Sequence, residues 1–211
     1  MVSAQNVPLL ELIDGTKMPM IGLGTFTITD ENTIKRVIEE GLEVGYRHID
    51  TAYFYMNEKF IGEKLREIFR RKDRTTLNRR NLFVTSKLWS TYHSRQKVVE
   101  GLRLSLKRLG IYYLNLFLIH FPFGFEEGGE DLPLTPEGLT RDSNISVVET
   151  WKGMEDAYRK GLVKSIGVSN FNIEQLCRIM RMCQIKPVVN QVRFYIVQID
   201  LARLAHLYLN Q

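Results

Sequence analysis

Cysteine is scarce in this sequence, and long apolar runs are missing from it. Its 211 residues include two cysteines, Cys177 and Cys183, whose spacing in a helical pattern places them on different helix faces. They predict neither a disulfide framework nor a metal site. No apolar run approaches the roughly 18 residues of a membrane span, and the N-terminus lacks a basic segment followed by a long apolar stretch. We therefore expect a cytoplasmic protein without a membrane partner.

Acidic residues are outnumbered by basic ones, which gives a formal net charge of +5. The densest basic tract covers residues 70–80. Cations are favoured at helix C-termini, and no aromatic residues interleave with these ones to stack on bases. The tract therefore predicts the solvated end of a helix and its loop, without a nucleic-acid partner. The length and ordinary apolar content allow one sizeable core, and we expect a single domain over residues 1–211.

Strands and helices alternate along the chain. Asp14-Gly15 between two apolar runs predicts an N-terminal β-hairpin. Apolar runs and helical periodicity then predict strands at 21–25, 46–50, 82–88, 113–120, 164–169 and 187–192, and helices at 31–44, 57–71, 95–109, 146–160, 172–183 and 198–209. Asp30 is placed to cap the first helix, and Gly110 to end the third. The six β/α units predict a parallel sheet covered by helices.

The glycine pattern favours a barrel over a doubly wound sheet. No G-x-G-x-x-G opens the first helix, so a dinucleotide-binding Rossmann fold is disfavoured. We predict an α/β fold, an incomplete (β/α)₈ TIM barrel of about six units. In such a barrel the C-terminal ends of the strands meet at one rim. The polar residues at those ends are Asp50, Lys87, His120, Ser169 with Asn170, and Gln191.

These rim residues suit the protonation of an oxygen that acquires negative charge. A tyrosine phenol has a pKa of about 10 and is a poor proton donor at neutral pH unless its phenolate is stabilised. An ammonium such as Lys87 can stabilise the phenolate, and Asp50 can hold that ammonium charged and oriented. His120 can hydrogen-bond the substrate oxygen. A carbonyl that receives a hydride from a cofactor fits this chemistry.

The motifs around these residues resemble those of one family. "GYRHIDTAYFYMNE", "LFVTSKLW", "YLNLFLIHFP", "GLVKSIGVSNF" and "VVNQV" stand in the order and spacing of the aldo-keto reductases, between residues 9 and 192. Members of that family are NADPH-dependent (β/α)₈ barrels that reduce aldehydes and ketones. The resemblance therefore implies NADPH as the cofactor and a small-molecule carbonyl compound as the substrate.

The resemblance also implies roles for individual residues. Tyr55 would be the proton donor, Lys87 would favour its ionisation, Asp50 would pair with Lys87, and His120 would orient the substrate carbonyl. The residues implied at the cofactor are Gly24, Thr25, Asp50, Ser169, Asn170 and Gln191. The residues implied at the substrate are Phe26, Trp89, His120 and Phe121, the last of which stands where many members have tryptophan.

Structural roles compete with these assignments. Asp50 and Lys87 could form a purely structural ion pair, Tyr55 could be an ordinary rim aromatic, and His120 could close a strand end. Ser169 and Asn170 could cap the helix that follows them. The long segment 122–144 is expected either to overhang the active site and set specificity or to be a mobile surface excursion.

The resemblance ends before two further β/α units that the family has. We therefore expect a C-terminally truncated barrel, with the ring-stacking tyrosine and the 2′-phosphate site of the cofactor outside this sequence. Arg193 replaces a usual glutamate. A non-catalytic fragment or a binding or regulatory protein of the same fold is the alternative function.

Overall fold

The structure is a computed structural model that describes residues 7–71 and 77–193. Its elements alternate in the predicted way. Strands are β1 (Leu9–Glu11), β2 (Lys17–Pro19), β3 (Leu23–Gly24), β4 (His48–Asp50), β5 (Phe83–Leu88), β6 (Leu114–Ile119), β7 (Val163–Ser169) and β8 (Asn190–Gln191). Helices are α1 (Glu31–Glu43), α2 (Glu58–Arg70), α3 (Arg95–Leu109), α4 (Val147–Arg159) and α5 (Ile173–Met180).

Six parallel strands form the main sheet, in the order β3-β4-β5-β6-β7-β8. Each strand pairs with its sequence neighbour, for example Gly24 with Asp50 and Ser169 with Gln191. Successive helices also pack against each other, from α1 against α2 to α4 against α5. This is the winding of a β/α barrel, and the described part is an incomplete barrel of six parallel strands, as predicted.

A hairpin lies at the amino-terminal end of the sheet. Strands β1 and β2 pair antiparallel, and Gly15 turns the chain between them with φ +80°. The Ser165 hydroxyl, early in β7, lies 2.7 Å from Asp14 Oδ2 and 2.8 Å from Thr16 Oγ1. The predicted hairpin is confirmed, and these contacts hold it against the strand ends opposite the polar rim.

Buried side chains of the helices pack on the outer face of the sheet. Ile34 and Ile38 of α1 are 0% exposed. The predicted signals at helix ends are confirmed: Asp30 Oδ1 accepts from Thr33 N at 2.8 Å, and Gly110 ends α3 with φ +64°. These caps fix where α1 begins and where α3 ends.

Three expectations for the last units need correction or fall outside the described residues. Helix α5 is capped by Asn172, whose side chain accepts from Gln175 N, so the predicted capping by Ser169 and Asn170 is wrong. Strand β8 is shorter than the predicted 187–192, although Val188 N still donates to Ile166 O at 3.0 Å. The helix predicted at 198–209 lies outside the described residues. Within the described ranges, no helix is long and apolar enough to cross a membrane.

Candidate active site

The sheet brings together four side chains predicted at its rim. Asp50 ends β4, Lys87 is next to last in β5, and His120 follows β6 directly. Tyr55 ends a short 3₁₀ turn, Tyr53–Tyr55, that follows β4. Since parallel strands place their C-terminal ends at one edge, residues up to 70 positions apart in sequence meet here.

Lys87 is the centre of the cluster. Its side chain is 1% exposed, and its Nζ donates to Asp50 Oδ1 at 2.5 Å, to Thr51 O at 3.1 Å and to Tyr55 Oη at 3.2 Å. The ammonium thus has one acceptor for each of its N–H bonds. This geometry couples the Lys87 charge directly to the Tyr55 phenol.

Asp50 is held at all of its oxygens. While Oδ1 faces Lys87, Oδ2 accepts from Gln191 Nε2 at 2.9 Å. Its backbone oxygen accepts from Thr25 N at 3.1 Å and from Thr25 Oγ1 at 3.0 Å. The carboxylate therefore has one fixed orientation, and β8 is joined to it across the mouth of the half-barrel.

His120 faces Tyr55 with its ring edge-on, at 5.6 Å between centroids. Burial, followed by the nearby Lys87 charge, lowers the pKa of His120 to about 3. The ring is therefore neutral at physiological pH and carries one N–H. Its Nδ1 is buried without a hydrogen-bond partner among the described residues.

A cavity of about 530 Å³ opens above Tyr55 and His120. Aromatic side chains form most of its wall, and the predicted substrate residues Phe26, Trp89 and Phe121 are among them. Phe26 lies 5.0 Å from the Tyr55 ring, and Phe121 stacks on His120 at 4.7 Å. The cavity therefore offers an apolar surface with the phenol and imidazole at its base.

Ser169, Asn170 and Gln191 line the same cavity. The Ser169 hydroxyl donates to Gln191 O at 2.7 Å, and Asn170 Nδ2 donates to His120 O at 3.0 Å and to Ser169 Oγ at 3.2 Å. Asn170 adopts φ +62°, a conformation that asparagine tolerates. These contacts fix a small polar cluster beside the aromatic wall.

The other two residues implied at the cofactor sit differently. Thr25 is fully buried, and its hydroxyl is engaged by Asp50 O. Gly24 is exposed, and a Cβ added there would meet no atom within 4 Å among the described residues. Thr25 thus supports Asp50, whereas Gly24 leaves open space at the rim.

Phe54 is a wall residue that the sequence did not single out. Its ring stacks on Trp89, with 3.7 Å between centroids and planes 8° apart. The neighbouring Tyr53 is turned away from Lys87, and its hydroxyl donates to Asp131 Oδ1 at 2.9 Å. Three consecutive aromatic residues in one turn therefore face three different partners, which no strand or helix period reveals.

No group of three or more His, Cys, Asp or Glu side chains within residues 7–71 and 77–193 could hold a metal ion. Cys177 and Cys183 are free thiols, and both are partly buried.

Comparison with known proteins places the chain in a family. The model of the aldo/keto reductase family matches residues 20–209, which extends past the last motif at residue 192. Aldose reductase C of Dictyostelium discoideum is 44% identical over 197 residues, covering 90% of this chain and 60% of that protein. Aldo-keto reductase family 1 member A1 of Mus musculus is 41% identical over 194 residues, covering 91% of this chain and 59% of that protein.

Solved structures give the same result for the fold. The aldose reductase from Schistosoma japonicum aligns with a TM-score of 0.88 and 37% identity, over 95% of this chain and 66% of that one. A Bombyx mori aldo-keto reductase in complex with NADP aligns with a TM-score of 0.83 and 36% identity, over 96% of this chain and 63% of that one. The chain spans about 60% of the length of the curated relatives that it matches. It belongs to the aldo/keto reductase family.

Proposed function

We propose that the chain is an NADPH-dependent oxidoreductase that reduces aldehydes or ketones to alcohols at the rim formed by Asp50, Tyr55, Lys87 and His120. One observation carries the proposal: the buried Lys87 Nζ lies 2.5 Å from a carboxylate and 3.2 Å from a phenol that lines an apolar cavity. A purely structural ion pair does not need a phenol as its third partner. Acid–base chemistry at the Tyr55 oxygen does.

Tyr55 delivers a proton to the carbonyl oxygen in this proposal. As the proton leaves, the phenolate is stabilised by the Lys87 ammonium at 3.2 Å. Asp50 keeps Lys87 charged and oriented, because its carboxylate is itself fixed by Gln191. Tyr55 can therefore release its proton only with Lys87 and Asp50 in place.

His120 orients the substrate. A neutral imidazole can donate one N–H to the carbonyl oxygen without placing a second positive charge beside Lys87. Since Nδ1 is buried without an acceptor among the described residues, the tautomer with its proton on Nε2 is favoured. Two donors, the phenol and the imidazole, then converge on the oxygen that gains negative charge.

The residues present fit the nicotinamide end of NADPH. Asn170 and Gln191 have their amide N–H₂ groups engaged within the protein, which leaves their amide oxygens as acceptors for a carboxamide, with Ser169 beside them. Gly24 provides room at the same rim. When bound, the cofactor supplies the hydride that goes to the carbonyl carbon. The NADP complex of the similar Bombyx mori protein supports this choice of cofactor.

A binding titration and an oxidation assay test the proposal on this chain. Quenching or enhancement of NADPH fluorescence should report saturable binding, and NADPH absorbance should fall when an aldehyde is added. Binding without aldehyde-dependent oxidation would favour the alternative, a binding or regulatory protein of the same fold. Absence of both would overturn the proposed function for this chain. A small-molecule carbonyl substrate and a cytoplasmic location remain predictions alongside it.

A further inference from the structure

Asp131 joins a long loop to the wall of the cavity. The β6–α4 loop (residues 120–146) leaves the rim after β6 and returns to α4. Within it, the Asp131 carboxylate accepts from the Tyr53 hydroxyl at 2.9 Å, and its backbone oxygen accepts from Trp89 Nε1 at 2.5 Å. One residue thus contacts both the turn after β4 and the residue that follows β5.

Tyr53 is well placed to hold Asp131. It is 5% exposed, its ring lies 4.2 Å from the Arg108 guanidinium, and its hydroxyl is 3.4 Å from that of Tyr92. Burial, then the contacts with Tyr92 and Asp131, raise the pKa of Tyr53, so it remains a donor at physiological pH. Because its single proton goes to Asp131, the Tyr92 hydroxyl donates to the Tyr53 oxygen.

Trp89 is the wall residue that this contact controls. Its indole is 4% exposed, stacks on Phe54 and lies 5.9 Å from the His120 ring. Stacking fixes the plane of the ring but permits a half-turn about χ2, which keeps this plane and reverses the direction of the N–H bond. The N–H bond to Asp131 O removes this freedom, because it gives the indole one direction.

The rest of the loop is attached independently of Asp131. Glu127 accepts from Ser94 N and Ser94 Oγ, both at 2.7 Å, and so binds the start of α3. Phe125 N donates to Ser90 O at 2.8 Å. Loss of the contact at Asp131 should therefore loosen the middle of the loop without detaching its base.

We propose that Asp131 is a positioning residue that sets the orientation of Trp89, with Tyr53 as the side chain that latches Asp131 in place. The β6–α4 loop thereby becomes part of the cavity wall and discriminates carbonyl compounds by the size of the group that faces Trp89. The role in discriminating carbonyl compounds rests on the proposed function. The orientation of Trp89 by Asp131 concerns the fold alone.

Hydrogen exchange and tryptophan fluorescence test the latch without cofactor or substrate. In Tyr53→Phe, amide exchange over residues 128–142 should rise by roughly tenfold, the factor for one lost bond to a charged group. Acrylamide quenching of tryptophan should rise as well. Asp131→Ala should raise both the exchange and the quenching. Asp131→Asn keeps an acceptor oxygen and should therefore raise both by less. The matched controls are Glu130→Gln, an exposed carboxylate next door, and Tyr112→Phe, a phenol that is 94% exposed.

The outcomes separate the two statements. Unchanged exchange and quenching in Tyr53→Phe would overturn the latch, and changes of equal size in both controls would overturn it too. If Asp131→Ala fails to fold, Tyr53→Phe decides alone, since it removes a single oxygen atom.

Fluorescence titration with 4-nitrobenzaldehyde and with propanal then tests whether the loop discriminates carbonyl compounds by size. Tyr53→Phe should weaken binding of the bulky aldehyde several-fold and leave the small one unchanged.

Equal effects on both aldehydes would overturn the role in discrimination and leave the latch standing. If neither aldehyde binds the unmodified chain, the role in discrimination fails, whereas NADPH binding and aldehyde-dependent NADPH oxidation decide the proposed function separately. The exchange and quenching results still decide the latch in that case.

Discussion

Replacement of Asp50 by asparagine removes the charge that faces the Lys87 ammonium. The two side chains are 15% and 1% exposed, and their charged atoms are 2.5 Å apart. At an effective dielectric constant of about 20, such charges attract by about 7 kcal/mol, most of which offsets their lost hydration. Breaking a buried pair by removing one partner typically costs about 3–5 kcal/mol. We therefore expect Asp50→Asn to lower the free energy of unfolding by about 3 kcal/mol near neutral pH.

Urea denaturation measures this loss, and a second variant isolates its cause. In Asp50→Asn combined with Lys87→Met, neither charge of this pair remains, so the double variant should lose less stability than the two single losses added together, by about 2 kcal/mol. Glu31→Gln is the matched control, because Glu31 also lies 2.5 Å from a lysine, Lys35, but on the surface. Its effect should be small. If Asp50→Asn costs no more stability than Glu31→Gln, burial does not make the Asp50–Lys87 pair more important for the fold than a surface pair.

Two further predictions concern stability. The pKa of His120 is about 3 in the fold and about 6.5 when unfolded, so its contribution is complete above about pH 6.5 and is lost as the pH falls toward 3. His120→Asn should therefore reduce the slope of unfolding free energy against pH by about 1.4 kcal/mol per unit near pH 5, measured by urea denaturation, and an unchanged slope would contradict it. In Gly62→Ala the new Cβ would clash with the backbone oxygen of Leu109, whereas Gly129→Ala meets nothing within 4 Å among the described residues. We expect the first to cost about 1–3 kcal/mol by the same measurement and the second to cost far less, and equal losses would contradict the close packing of α2 and α3.

Local signals account for most of the fold. Asp30 before a helical period and Gly110 after one are recognised by short-range chemistry, and both act as predicted. The apolar run at 187–192 predicts a strand longer than β8, because such a run does not reveal how many of its residues find a partner strand. Ser169 and Asn170 do not cap α5, because Asn172 directly precedes the helix and exchanges hydrogen bonds with Gln175.

The polar rim could be anticipated because barrel topology maps strand ends to one edge. The sequence therefore indicated that Asp50, Lys87 and His120 would be close, although their catalytic roles remain a proposal. It could not indicate that Asp131 reaches Trp89, since 42 residues separate them and neither follows a repeating pattern. Contacts of this kind depend on where a long loop comes to rest after the barrel has formed.

Carbonyl-dependent NADPH oxidation by Tyr55→Phe decides whether Tyr55 donates the proton. The phenylalanine keeps the ring that packs against Phe26 and His120 but lacks the hydroxyl that Lys87 contacts. Tyr112→Phe, with its phenol far out in solvent, is the matched control. We predict that Tyr55→Phe binds NADPH as the unmodified chain does, and that its turnover rate falls by a factor of roughly 10²–10⁴. The control should keep its full rate. Turnover by Tyr55→Phe within a few-fold of the control would contradict the assignment.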